Sequence, residues 1–269
     1  MANLATPGGK RLRTLREYRG KTQLDVELDA SLGMGYLQRL ELGRVKQPER
    51  DTVERILTAL DARYTERREI LELFGYIVDA PIPDADEIDW AIDVCRNDVN
   101  QANFPMYLLD CSHRLLFWNA SLPRLFHIPD LATVSATRQY ATMLGIIFNP
   151  AYGTVSRILN KDTFFPAQIR ALRYERQWFH DESWYVTLIA EMLKFDAFKT
   201  YWENEQDKPI YIPARPLVPL QLQVDDKSLC FRLIAEPYVQ DRRFRVIFFL
   251  PDDVVTAQQC QIWSDESVV

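Results

Sequence analysis

Histidine and cysteine are scarce in this chain, three of the first and four of the second in 269 residues. His113, His127 and His180 stand at no metal-ligand spacing from one another or from a Glu. Cys95, Cys111, Cys230 and Cys260 form no Cys-x-x-Cys pair, so neither a zinc site nor a disulfide framework is suggested. P-loop, G-x-S-x-G and G-x-G-x-x-G motifs are also missing, and His180-Asp181 comes with no nucleophile motif. These absences point away from an enzyme: no catalytic residue, no metal and no cofactor are expected. No apolar run approaches the roughly 20 residues needed to span a bilayer, and the first ten residues, MANLATPGGK, hold no apolar signal core. A cytoplasmic protein without a membrane partner is expected.

What is present is ordinary globular material, with 47% apolar and 26% charged residues, in a length that suggests two domains. The net charge of −6 would oppose nucleic-acid binding if it were spread evenly. It is not. Residues 1–80 hold 14 basic and 13 acidic residues, which leaves 18 of the 32 basic and 25 of the 38 acidic ones beyond them. Near the start, Lys10, Arg11, Arg13, Arg16, Arg19 and Lys21 face Glu17 alone, a patch able to meet phosphates.

Helical periodicity dominates these first 80 residues. Leu12, Leu15 and Tyr18 share one face of a helix that Gly20 ends. Thr22 is placed to cap a second helix reaching about Asp29, with Leu24 and Leu28 at i, i+4. After Ser31 and Leu32, a third helix turns Tyr36, Leu37 and Leu40 inward and Met34, Gln38 and Arg39 outward, and Gly43 stops it. Asp51 is expected to cap a fourth helix carrying Val53, Ile56, Leu57 and Leu60. A fifth, from Thr65 to Tyr76, has Ile70, Leu73, Phe74 and Ile77 as its apolar stripe.

Leu12, Leu15, Arg16, Arg19, Gly20, Gln23, Val26, Leu37, Leu40, Glu41, Gly43, Arg44 and Pro48 stand at offsets that resemble the lambda-repressor-like or Xre-type helix-turn-helix domain, over about residues 10–62. That resemblance implies binding to double-stranded DNA as a homodimer. It implies that Gln23 bonds a phosphate, that Arg16 and Glu41 form an interhelical ion pair, and that Arg44 and Lys46 lie near the DNA backbone. Met34, Gly35, Gln38 and Arg39 would face base edges in the major groove. Two residues depart from the pattern, which usually has Ala where Glu27 stands and Gly where Ser31 stands. Glu27, beside Asp25 and Asp29, is expected to cost stability unless it swings to solvent, and to bring negative charge near the DNA. Gly33 and Gly35, read as part of the third helix, would each weaken it by roughly 1 kcal/mol relative to Ala.

Residues 79–86, DAPIPDAD, interrupt the helical pattern, so a first domain at 1–80 is followed by a linker at 81–86 and a second domain at 87–269. The second domain opens with a helix from Glu87 to Val99 and two short strands, Met106 to Asp110 and Leu115 to Trp118. It continues with helical and aromatic-rich sequence, then changes to period 2. Leu220, Leu222 and Val224, then Leu229, Phe231 and Leu233, read as a hairpin turned by Asp225-Asp226-Lys227. Phe244 to Leu250 is another strand and Ile210 to Ile212 a further short one, while the chain from Gln258 onward reads as polar and frayed. The fold class is therefore mixed, an all-α five-helix domain followed by an α+β domain with an antiparallel sheet.

The order of Trp118-Asn119, Phe148-Asn149-Pro150, Phe198 to Trp202 and Pro213 to Leu220 resembles the PAS-like ligand-binding domain of MmyB-like transcription regulators. This resemblance implies a pocket for an apolar small molecule, a fatty acid, acting as effector. Phe117, Trp118, Phe148, Trp178, Trp184, Tyr185, Phe195, Phe198 and Trp202 are the candidate walls; residue by residue plain core is the first reading, and a pocket somewhere among them is the reading of the set. Arg170, Arg173, Arg176 and His180 are either head-group donors or solvated charges. Two functions remain open. One is a ligand-responsive transcription regulator; the other is a protein-interaction regulator whose helix-turn-helix has lost DNA binding, suggested by Asp25, Glu27 and Asp29.

Overall fold

The computed structural model describes residues 5–128, 131, 142–179, 182–208 and 218–266, with 176–179 by backbone alone. The chain divides into two compact units, Met1–Asp79 and Ala80–Val269.

Among the described residues the first unit contains five helices. α1 (Pro7–Tyr18) starts with Pro7 in the first turn and Thr6 accepting a hydrogen bond from the Gly9 N–H. α2 (Gln23–Asp29) starts with a reciprocal capping box between Thr22 and Asp25. α3 (Tyr36–Glu41), α4 (Arg50–Ala59) and α5 (Tyr64–Leu73) follow. Asp51 is inside the first turn of α4 rather than at its cap, where it pairs with Arg55 one turn on. A single core joins Leu12, Leu15, Val26, Leu37, Leu40, Val53, Ile56, Leu57, Leu60, Ile70, Leu71 and Phe74.

Tyr18, Leu24, Leu28, Leu73 and Ile77 are exposed, contrary to the inward positions expected of them. The reason is clearest in α2. Four-residue spacing fits Leu24 with Leu28 and equally Val26 with Ala30, so periodicity alone leaves two stripes available. Packing on α3 and α4 selects the second, and Val26 and Ala30 are buried. α1 approaches α3 so closely that a Cβ on Gly9 would lie 2.4 Å from the Leu40 carbonyl oxygen, a contact only glycine permits.

In the second unit, α6 (Ala85–Gln101) is capped by Asp84, and β1 (Met106–Asp110) and β2 (Leu115–Trp118) form the first hairpin. Then come α7 (Ser121–Phe126), α8 (Met143–Phe148), a 3-10 turn (Pro150–Tyr152), α9 (Thr154–Arg157), α10 (Lys161–Phe179), α11 (Ser183–Met192) and α12 (Asp196–Asn204). β3 (Leu220–Val224), β4 (Lys227–Pro237), β5 (Phe244–Pro251) and α13 (Val254–Asp265) complete the described part. The expected strand Ile210 to Ile212 lies outside the described residues. The five strands pair antiparallel in the order β2-β1-β5-β4-β3, so the mixed fold with an antiparallel sheet is the observed one.

Alternating burial splits this sheet between two cores. One face sends Leu109, Leu115, Leu222, Leu229, Phe231 and Phe249 into the core shared with the later helices. The other sends Met106, Leu108, Leu116, Phe244 and Val246 against Ile88, Ala91, Cys95 and Val99 of α6. The C-terminal segment is not frayed through residue 265, because α13 buries Cys260 and Trp263. Nor is the proline-rich stretch a free tether. Ala80 donates to Glu182 and accepts from the Trp184 indole, Pro81 accepts from Arg243, and Pro83 accepts from Arg114, so the boundary falls at Asp79/Ala80.

Asn119 supplies the reason for Trp-Asn at the end of β2: its side chain accepts from the Met106 N–H and donates to the Ala102 and Phe104 carbonyls, tying the α6–β1 connection to the hairpin. Arg245 of β5 bonds both Glu175 of α10 and His113 in the β1–β2 turn. Burial acts to raise the Glu175 carboxyl, but Arg245 and His113 outweigh it and hold its pKa at about 2.

Ser31 gives a direct stability test. It has φ +52°, a left-handed conformation that costs an L residue about 1–2 kcal/mol, partly offset in glycine by lost chain entropy. Ser31→Gly should therefore stabilise the first unit by about 0.5–1 kcal/mol. Denaturant unfolding of the two chains checks this, and an unchanged or lower midpoint would show that Ser31 is not strained.

Candidate nucleic-acid interface and ligand cleft

α3 is only six residues long and has no capping side chain of its own. Its N-cap is Gly35, at φ +76°, where a side chain would be strained. Gly33 and Gly35 thus precede the helix instead of weakening its interior, which corrects the expectation drawn from their number. The missing cap comes from α2. Glu27 is 5% exposed, its Oε2 accepting from the Gly35 N–H at 2.9 Å and its Oε1 from the Leu37 N–H at 2.8 Å. It therefore neither swings to solvent nor stands as surface charge; its carboxylate meets the N–H groups at the positive end of α3. Asp25 is engaged with Thr22 and Asp29 with Lys21, so all three carboxylates of this helix have local partners.

At the other end of α3, Glu41 accepts from Arg16 twice, at 2.7 Å from Nε and 3.0 Å from Nη2. Both side chains are buried, and Arg16 also donates to the Lys21 carbonyl. The bond to Glu41 raises the Arg16 pKa. Gln23 adds a third donor, its amide nitrogen 2.8 Å from Glu41 Oε2. One of its two amide hydrogens is thereby taken, and the group is oriented before any phosphate arrives.

With its inner face fixed by Leu37, Leu40 and Glu41, α3 leaves Gln38 and Arg39 exposed. The Arg39 guanidinium stacks on Tyr36, 5.8 Å from the ring centroid, which restrains a long side chain without closing its N–H fork. Met34 is 82% exposed, but in the turn before the helix rather than on it. Arg44 and Lys46 are exposed in the loop after it.

The second unit contains a cleft of about 810 Å³. One wall is the β1–β2 turn with Ser112 and Arg114, paired through a β-bridge to Thr142 and continuing to Ile146 and Asn149. The other is α11, whose Trp184, Leu188 and Met192 recur every four residues, followed by Phe195. Fully buried Asp110 sets the turn, accepting from Ser112 N–H and Oγ and from Arg114 N–H and Nε.

Among the described side chains, only Trp184 and Phe195 of the expected wall residues line this cleft. Phe198 stacks on Trp202 and meets Phe148 edge to face, with Phe148 and Phe198 centroids 5.2 Å apart, and Tyr185 bonds the Leu172 carbonyl. Trp118 packs on the same core, whereas Phe117 lies on the opposite face of the sheet, under Arg96. Arg170 is paired with buried Glu205, and Arg173 bonds the Gln206 carbonyl, so neither reaches the cleft. The side chains of Trp178, Arg176 and His180 lie outside the described residues. Sequence spacing missed Ser112, Arg114, Ile146, Leu188 and Met192, although the i, i+4, i+8 stripe of α11 was readable.

Residues 9–70 match the family model described as a helix-turn-helix domain. No curated protein matches the chain. A helix-turn-helix domain at this position supports a DNA-binding transcription regulator, and among the described residues no helix is long and apolar enough to cross a membrane.

The ion pair under α3 can be tested directly. Glu41→Ala should cost roughly 3–5 kcal/mol, since it strands the buried Arg16, while a combined Arg16→Met and Glu41→Leu change should recover most of that loss. Thermal unfolding of single and double variants decides it; equal losses in both would mean that hydrophobic substitution cannot replace the pair.

Proposed function

We propose that this chain is a homodimeric transcription regulator in which α3 reads base edges in the DNA major groove and the second unit responds to an apolar small molecule, a fatty acid, held in its cleft. The observation that carries the first half is the exposed pair Gln38 and Arg39 on a helix whose opposite side is buried and bonded at both ends. Arg39 suits a guanine, to which it can donate twice, and Gln38 suits an adenine. Arg44 and Lys46 supply phosphate contacts, and Gln23 a further donor at the start of α2. A homodimer doubles a readout that one six-residue helix makes small.

The ligand half is supported by the mixed lining of the cleft and by the motif order that resembles MmyB-like regulators. Ile146, Trp184, Leu188, Met192 and Phe195 suit an acyl chain, and Ser112, Arg114 and Thr142 form a polar side for its carboxylate. The ligand would shift DNA binding by favouring one of two states of the protein. The alternative of a pure protein-interaction module loses its motive, since Asp25, Glu27 and Asp29 are engaged within the domain.

DNA reading is tested on a duplex selected from a random library by the full chain. Affinity should fall steeply with salt, Lys46→Ala should reduce that slope by about one, and Arg39→Ala should cost about 1–3 kcal/mol on the selected duplex alone. A flat salt response, or an Arg39→Ala variant indistinguishable from wild type, would refute this use of α3. For the ligand, native mass spectrometry of the purified chain should show a co-purifying mass of acyl-chain size. A clean chain mass that also fails to shift with added palmitate would remove the fatty-acid reading.

A further inference from the structure

Glu27 bonds the connection between α2 and α3 at both of its ends, while Arg55 of α4 donates to the Ala30 and Ser31 carbonyls at its start. The main-chain carbonyl of Glu27 accepts the Leu32 N–H at 2.8 Å, and its carboxylate accepts the Gly35 and Leu37 N–H groups at 2.9 and 2.8 Å. Between these bonds the chain passes through two positive-φ residues, Ser31 and Gly35, and its backbone bonds are single turns, Ser31 N–H to the Leu28 carbonyl and Tyr36 N–H to the Gly33 carbonyl. Leu37 stands directly before Gln38 and Arg39, and any shift of its N–H carries both with it.

We propose that Glu27 is a positioning residue for DNA recognition: from α2 it caps α3 and thereby sets the angle at which Gln38 and Arg39 meet the bases. The role rests on the DNA-reading function proposed above. Its physical basis is the tolerance of a paired base contact, about 0.5 Å and 10–20°. A six-residue helix entered through glycine lacks the length to hold that tolerance unaided. Glu41 fastens the far end of α3 to α1, so Glu27 is the complementary restraint at the near end. The capless Gly33-Met34-Gly35 sequence is what makes an outside acceptor necessary.

The test compares wild type, Glu27→Gln and Glu27→Ala on a duplex selected by the wild-type chain and on a mixed-sequence duplex of equal length, at one salt concentration, with thermal unfolding followed in parallel. Glu27→Ala should lose about tenfold in affinity for the selected duplex, the size of a lost cap, and keep its mixed-sequence affinity within about twofold, because phosphate contacts do not need the cap. Glu27→Gln keeps one oxygen acceptor and should lose an intermediate factor of about threefold. Unchanged selectivity in both variants overturns the proposal. Equal losses on both duplexes also overturn it, leaving Glu27 a folding role alone. If Glu27→Ala does not fold, the same ratio measured for Glu27→Gln decides. A wild-type chain that enriches no sequence removes DNA reading itself and this role with it, and that outcome is visible before any variant is compared.

Discussion

A six-residue helix cannot hold itself together. Fixing its first turn costs more than its few internal hydrogen bonds return, and isolated helices shorter than about 12–15 residues are marginal in water. α3 is such a helix, yet its outward face must present Gln38 and Arg39 in one arrangement. The first unit answers this constraint from three sides. Leu37 and Leu40 are buried in the shared core, Glu27 bonds the near end from α2, and Arg16 with Gln23 bonds Glu41 at the far end. The close approach at Gly9 brings α1 against the α3 backbone itself.

The two carboxylates differ in chemistry. Glu41 is neutralised by a guanidinium, which makes the pair costly to break by halves but replaceable as a whole. Glu27 meets backbone N–H groups, whose partial positive charge at the helix end suits an anion and whose directions fix where the helix begins. One holds the helix to its neighbour, and the other defines its first turn.

The second unit is organised by a sheet buried on two faces, with a hairpin turn at one end that does two jobs. Asp110 shapes the turn from within and Arg245 braces His113 from β5, while Ser112 and Arg114 emerge into the cleft. A cleft wall built on a turn so heavily bonded is preorganised, and the facing α11 stripe of Trp184, Leu188 and Met192 supplies apolar surface. The aromatic abundance of this region serves mainly to fill the core, as the packed rings of Phe148, Phe198 and Trp202 show.

The amino-acid sequence determined by itself what depends on local spacing. Five helices of the first unit, the two period-2 strands of the β3–β4 hairpin and the offsets of a helix-turn-helix are all carried by neighbours a few residues apart. Spacing alone placed Gly33 and Gly35 inside the third helix, and only the structure shows them before it, with the acceptor for its first N–H groups coming from α2. Tertiary structure decided the rest, because it concerns which of several compatible partners a residue meets. Val26 is buried rather than Leu24, Glu27 turns to backbone N–H groups rather than to water, and Trp184 lines the cleft while Phe198 fills the core. Each choice depends on burying apolar surface and pairing polar groups across elements far apart in the chain, and periodicity within one element does not encode such contacts.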